Sequence, residues 1–237
     1  MKKNPNEKTF LRLSLEQRVQ HGFMILSFTL LSITGIPMRF PDIDWLKFIY
    51  FLFGGLEGAR IVHRISAVIM ILLGLYHLFY IMRLLVVNKF NFVKAWPMLP
   101  NLKDAKDWWD TSLFYFGFRK KLPLYDRFNF REKFDYFAVF WGVPVMMFSG
   151  LILWFPVFFG NILPDIAIPM AFIAHSDEAL LAIAAIVVWH FYNVHYNPDK
   201  FPGSTVWLDG KLTEEEMIKE HPLEYERLTG KEIRSKK

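Results

Sequence analysis

The sequence predicts an all-α integral membrane protein: a four-helix bundle with a long cytoplasmic loop containing an interfacial helix, and a cytoplasmic C-terminal tail. Three observations lead there. Apolar residues, 53% of the 237-residue chain, gather in four long blocks, each near the roughly 20 residues a spanning helix needs. Lys and Arg lie between those blocks with a strong bias in their distribution. Histidines recur at matching depths inside the blocks, where an ionisable side chain is costly and marks a functional site.

The spans follow in chain order. The first covers about 19–37, entered through the polar stretch Ser14-Leu15-Glu16-Gln17-Arg18; the second covers 61–87. The third covers 136–159, with Pro144 and Pro156 in or near it; proline is tolerated in a span when neighbours satisfy the freed carbonyl. The fourth covers 168–192. Residues 48–55 are apolar but too short to cross and end in Gly54-Gly55, so they read as an outer-surface or re-entrant segment. Residues 1–15 are polar and charged, with no short apolar core before a small-residue site, so no cleavable signal peptide is expected.

Orientation comes from the basic residues. The N-terminal tail to Arg18 carries five Lys or Arg, the segment 83–133 eleven, and the tail after Tyr196 eight. The connection 38–60 carries three and 156–175 none. The positive-inside rule then puts both termini and the middle loop in the cytoplasm. A net charge of +5 spread between spans encodes topology and gives no reason to expect a nucleic acid partner. The chain has no cysteine, which excludes thiolate-bound clusters, haem attachment through C-x-x-C-H, disulfides and a cysteine nucleophile within it.

Two domains are expected: the membrane domain 1–200 and the tail 201–237. In the middle loop, 104–118 (DAKDWWDTSLFYFGF) mixes acids, lysines and aromatics and reads as an interfacial amphipathic helix; a docking surface for a partner would have the same composition. In the tail, 212–228 has helical character, with Thr213 and Glu214–Glu216 as its N-terminal signal. The expectation there is a solvated helix.

Six of the seven histidines lie in or beside the spans: His21, His63, His77, His175, His190 and His195. A single one would read as a buried hydrogen-bonding residue. Spans two and four run in parallel, so His63 and His175 fall near their outer ends and His77 and His190 near their inner ends. His21 lies near the cytoplasmic start of span one. At about 1.5 Å rise per residue, the histidines of each span are about 21–22 Å apart, and each pair stays within about 60° of one helix face. Facing imidazoles of this kind suit bis-axial haem ligation. Zinc prefers about four ligands at one point, and a proton relay calls for carboxylates between the layers, whereas Asp177 and Glu178 are the only acids within the spans. Gly22, Gly35, Gly74, Gly142 and Gly150 lie in the spans and allow close approach of a macrocycle or of a neighbouring helix.

The sequence resembles a known family, the bacterial four-helix di-haem cytochrome b subunits of membrane formate dehydrogenase, thiosulfate reductase and nickel–iron hydrogenase. The resemblance rests on Arg18-Val19-Gln20-His21, Ser27-Phe28 and Thr34-Gly35-Ile36-Pro37 in span one, and on His63-Arg64 in span two. Ser149-Gly150 in span three, and Ala174-His175-Ser176 with Trp189-His190 in span four, complete it. It covers about 10–200. It implies two b haems, one between His63 and His175 near the outer face and one between His21 and His190 near the cytoplasmic face, with His77 as reserve ligand. It further implies electron transfer, in either direction, between a quinone (menaquinone) and a periplasmic redox partner. That partner would be an iron–sulfur and molybdenum module, a hydrogenase or a multihaem cytochrome c.

Quinone chemistry needs hydrogen-bond donors and a proton path. Asn129, Glu132, Lys133, Asn193 and His195 lie beside the inner layer and are the candidates as a cluster, although each singly fits interfacial anchoring equally well. No residue is expected to act as a catalytic group. Two other functions compete: a self-contained membrane quinol or ferric reductase, and a non-redox membrane anchor or transporter.

Overall fold

The computed structural model describes residues 7–198 and 200–233. The chain divides into two compact units. One, the bundle unit, comprises Glu16–Tyr80 and Val139–Gly203. The other draws its described residues from segments 1–15, 81–138 and 204–237.

Four helices are long and apolar enough to cross a membrane, as expected: Leu15–Arg39, Leu56–Val87, Phe130–Trp154 and Ala167–Tyr196. Only 11% of each apolar window is buried, so the large apolar side chains face outward and need lipid as their solvent. Small residues turn inward instead. Ser27, Thr34, Ala59 and Ser66 are almost fully buried, the pattern by which membrane helices approach closely. Their hydroxyls are satisfied locally: Ser27 donates to the Phe23 carbonyl at 2.8 Å and Thr34 to that of Leu30 at 2.6 Å.

After β1 (Thr9–Leu11), α1 (Leu15–Arg39) forms the first span. A 3₁₀ turn (Asp44–Leu46) and α2 (Lys47–Leu52) follow. The apolar 48–55 segment is therefore this short helix, closed by Gly54 and Gly55 at φ 74° and 100°, a region side chains disfavour. α3 (Leu56–Val87) is the second span. The third, α6 (Phe130–Trp154), begins and ends earlier than its expected 136–159. Asn129 caps it, accepting from Glu132 N while Glu132 Oε2 accepts from Asn129 N. Pro156 keeps Phe155 out of helical geometry (φ −120°, ψ 55°) and starts α7 (Pro156–Gly160). The fourth span, α8 (Ala167–Ala184), continues through two π-helical stretches, Ala185–His190 and Tyr192–Tyr196.

The second unit holds α4 (Phe92–Ala95), α5 (Leu102–Tyr115), α9 (Val206–Asp209), β2 (Lys211–Thr213), α10 (Glu214–Glu220) and α11 (Pro222–Thr229). The tail is not a free solvated helix. β2 pairs antiparallel with β1 in the register Thr9↔Thr213, Phe10↔Leu212 and Leu11↔Lys211. Leu212, Met217 and Tyr225 form a small core with Phe10, Val206 and Ile233 packed on it. Thr213 does start α10, through a capping box with Glu216. Buried charges tie the segments together: Arg12 binds Glu224 at 3.2 Å and Glu132 at 3.0 Å, and Arg127 binds Glu224 at 2.6 Å. The expected amphipathic helix is α5, started by a capping box between Asn101 and Asp104. Its polarity is the unusual part, since Asp104, Asp107 and Asp110 are buried while Trp108 and Trp109 are exposed.

Candidate functional site: two histidine pairs

Histidines of the bundle unit meet in two pairs. The rings of His63 (α3) and His175 (α8) have centroids 6.4 Å apart, and those of His21 (α1) and His190 (end of α8) are also 6.4 Å apart. Two imidazoles bound to one metal from opposite sides, with metal–nitrogen bonds of about 2 Å, place their centroids about 6.3 Å apart. Among the described residues, no group of three or more His, Cys, Asp or Glu side chains converges on a metal-sized point. A planar macrocycle supplying its own four equatorial nitrogens needs only two axial ligands, a number that one pair of imidazoles can supply.

The first pair is held in a repeated way. Thr34 Oγ1 stands 2.9 Å from His63 Nδ1, and Ser149 Oγ stands 3.0 Å from His175 Nδ1. Each hydroxyl already donates one turn back, Thr34 to Leu30 O and Ser149 to Val145 O, both at 2.6 Å. It therefore faces the ring as an acceptor, the imidazole proton sits on Nδ1, and Nε2 is left with its lone pair. The next residue in each case is glycine. A Cβ at Gly35 would lie 3.3 Å from His63 Cε1, and one at Gly150 would lie 3.0 Å from His175 Cε1, so both glycines make room for these rings. The remaining glycines differ: Gly142 makes room for the Glu178 carboxylate, Gly74 is in ordinary contact with Val143, and Gly22 faces open space.

In the second pair, His21 has no such anchor: its Nδ1 is buried with no hydrogen-bond partner among the described residues. His77, at the same end of the spans, bonds through Nδ1 to Gln20 Oε1 at 2.7 Å and stacks on Tyr80. The π-helical turns account for how His190 keeps its face. Fifteen α-helical positions leave it about 60° from His175, and wider i→i+5 turns wind extra residues into each turn and reduce that offset.

The five polar candidates fall in different units, each with contacts of its own. Asn129 and Glu132 cap α6, and Glu132 also binds Arg12. Lys133 is buried against Asp104 at 2.9 Å. Asn193 donates to Trp189 O at 2.9 Å, and His195 lies against Phe191 and Gly203. The hydroxyls of Thr34 and Ser149 were invisible as histidine partners to a reading based on helix depth. The shared signal was a hydroxyl residue followed by glycine on the helix preceding each histidine-bearing span.

A family model described as prokaryotic cytochrome b561 matches residues 12–200. The chain is 26% identical over 209 residues to the cytochrome b556(fdo) subunit of formate dehydrogenase from Escherichia coli (strain K12), covering 86% of this chain and 82% of that protein. It is 23% identical over 230 residues to the cytochrome b556(Fdn) subunit of the nitrate-inducible formate dehydrogenase from the same strain, covering 96% and 95%. The Shigella flexneri counterpart of the latter matches at the same level.

Proposed function

The chain belongs to the prokaryotic cytochrome b561 family, a family of b-haem membrane cytochromes, and from that premise we propose that it is a di-haem subunit moving electrons between a quinone and a partner redox protein. The observation that carries this reading is the pair of 6.4 Å ring separations. His63 and His175 hold the outer haem through their Nε2 atoms. His21 and His190 hold the inner one, with His77 as a hydrogen-bonding neighbour. When bound, each haem supplies a one-electron carrier, tuned by its axial ligands and their surroundings.

The chain's own residues do the rest. The outward apolar faces of the four helices keep the bundle in lipid, and inward Ser, Thr and Gly let the helices close on the cofactors. Arg39 and Arg64 stand at the end of the bundle that holds the first pair, their guanidinium groups against Phe172 and Trp154, and offer positive charge to haem carboxylates. On the basic-residue count, the termini and middle loop are cytoplasmic in a bacterial plasma membrane. Quinone, menaquinone by family likeness, then meets the cytoplasmic end. Asn193 and His195 are preferred for that contact, because Asn129, Glu132 and Lys133 already spend polar atoms within the second unit.

The partner sits on the periplasmic side and carries its own iron–sulfur, molybdenum, nickel or c-haem centres, since this chain has no cysteine to hold a cluster. The relatives' names, cytochrome subunits of formate dehydrogenase, support an oxidoreductase complex over a self-contained reductase. The test is to purify the full chain and assay it with a menaquinol analogue. Two b haems per polypeptide, both reduced by the quinol and both reoxidised by the catalytic partner, are expected. A chain with no Soret band, or one that passes electrons to soluble acceptors equally well without a partner, contradicts the reading.

A further inference from the structure

The two halves of the first histidine pair are built alike although they come from different helices. Thr34-Gly35 on α1 meets His63 of α3, and Ser149-Gly150 on α6 meets His175 of α8. Thr34 is fully buried and Ser149 nearly so, and neither position needs a hydroxyl for packing alone. In each case the hydroxyl proton is committed to a carbonyl at 2.6 Å. If it pointed at the imidazole instead, two oxygens at 2.6 Å would face each other without a proton between them. The oxygen lone pair therefore receives the Nδ1–H. In the second pair, His21 Nδ1 lacks an acceptor among the described residues.

We infer that Thr34 and Ser149 are positioning residues that fix the tautomer, the ring orientation and the donor strength of the outer haem's two axial histidines. The inference rests on the ligand assignment proposed above. An Nδ1–H that donates to a fixed oxygen makes its imidazole more basic at Nε2, the role outer-shell acceptors play for metal-bound histidine. A stronger donor favours ferric over ferrous iron and lowers the midpoint potential. The two layers consequently differ by design: hydroxyl acceptors tune the outer haem on both faces, and no hydroxyl acts on His21.

The experiment is an equilibrium redox titration of the purified full chain with both haems bound, followed in the α band, together with EPR of the ferric protein. Thr34→Val and Ser149→Ala remove the hydroxyl acceptors and leave the backbone hydrogen bonds of His63 to Leu31 and of His175 to Met146, while Thr34→Ser and Ser149→Thr keep the hydroxyls. Removal is expected to shift the ferric–ferrous balance of the outer haem toward ferrous by up to about tenfold, or about 59 mV upward for one electron. The inner haem should not move. The low-spin EPR anisotropy of the outer haem should change as well, because freed rings leave the 62° angle between the His63 and His175 planes. The hydroxyl-retaining variants should match the parent. Loss of the outer haem in Thr34→Val but not in Thr34→Ser supports the same role through ligand holding.

An unchanged outer potential in both Thr34→Val and Ser149→Ala overturns the inference. So does an equal shift, or equal haem loss, in Thr34→Ser, which would assign the effect to packing. His63→Ala and His175→Ala identify the outer haem by its loss. If neither removes a haem, the ligand assignment itself has failed, whatever the hydroxyl variants show.

Discussion

His21 faces His190 at a ring separation of 6.4 Å, while His77 directs its Nδ1 to Gln20. Both His21 and His77 lie at one end of the bundle, yet they are engaged differently, and a direct comparison of variants follows from this.

His21→Leu should turn the inner haem five-coordinate and high-spin, or release it, whereas His77→Leu should leave a low-spin inner haem. Low-temperature EPR of the two variants decides. A high-spin inner haem in His77→Leu beside a normal one in His21→Leu would reverse the pairing.

Two haems per chain should fall to one in His63→Ala and in His175→Ala, as measured by pyridine haemochrome against protein. Retention of two in either variant would contradict ligation by that residue.

Gly150→Ala should be the more damaging of the two glycine changes. Its Cβ would come within 3.0 Å of the His175 ring, against 3.3 Å for Gly35 and His63. At such contacts the ring has to give by a few tenths of an ångström, so lower outer-haem occupancy is expected for Gly150→Ala and a milder loss for Gly35→Ala. Haem content after detergent extraction reads this, and full occupancy in Gly150→Ala would show that the ring relocates freely.

Much of this site was legible in the sequence because helix rise and topology alone bring His63 level with His175. The same depth reasoning could not separate His21 from His77, since both lie at one end; in the structure His21 stands beside His190 and His77 beside Gln20. Span boundaries drifted where local chemistry overrode hydropathy, at the Asn129 cap and at Pro156. The tail was the largest surprise. Its partners, Phe10 and Arg12, lie about two hundred residues away, and no local pattern announces a pairing at that separation. Helix α5 was legible as a helix but not in its polarity: Asp107 and Asp110 have nearby cations in Lys103 and Arg119, but the partner of Asp104, Lys133, lies on another helix.

Arg12→Ala and Glu224→Ala should each destabilise the second unit by about 1.5–3 kcal/mol, the worth of a charged hydrogen bond, since Glu224 keeps Arg127 in the first variant and Arg12 keeps Glu132 in the second. Arg12 and Glu224 side chains are only 5% and 4% exposed. Limited proteolysis should cut the tail much faster in either variant. Equal resistance to that of the parent would show that the charges repack.

Acid should loosen the same unit. Glu214 accepts a hydrogen bond from Tyr225 Oη at 2.7 Å, and that bond, with Lys8 at 3.6 Å, holds its carboxyl below the ordinary glutamate range. A lowered folded-state value gives stability that is complete above the unfolded value and is lost as pH falls through the folded one. Amide exchange at Leu212 and Met217 should therefore accelerate through the acid side of the carboxylate range. Glu214→Gln should flatten that dependence, and an unaltered pH profile in this variant would remove Glu214 as its source.

The pairing of β1 with β2 also sets a timetable for biosynthesis. At about 5–20 residues per second, roughly 10–40 s separate translation of residues 9–11 from that of their partners at 211–213. All four spans are made in that interval, so the strand edge of residues 9–11 stays unpaired until the whole membrane-spanning part has been synthesised. A nascent chain that stalls before Glu224 leaves Arg12 without that carboxylate. The N-terminal strand can therefore pair only once almost the whole chain has been made.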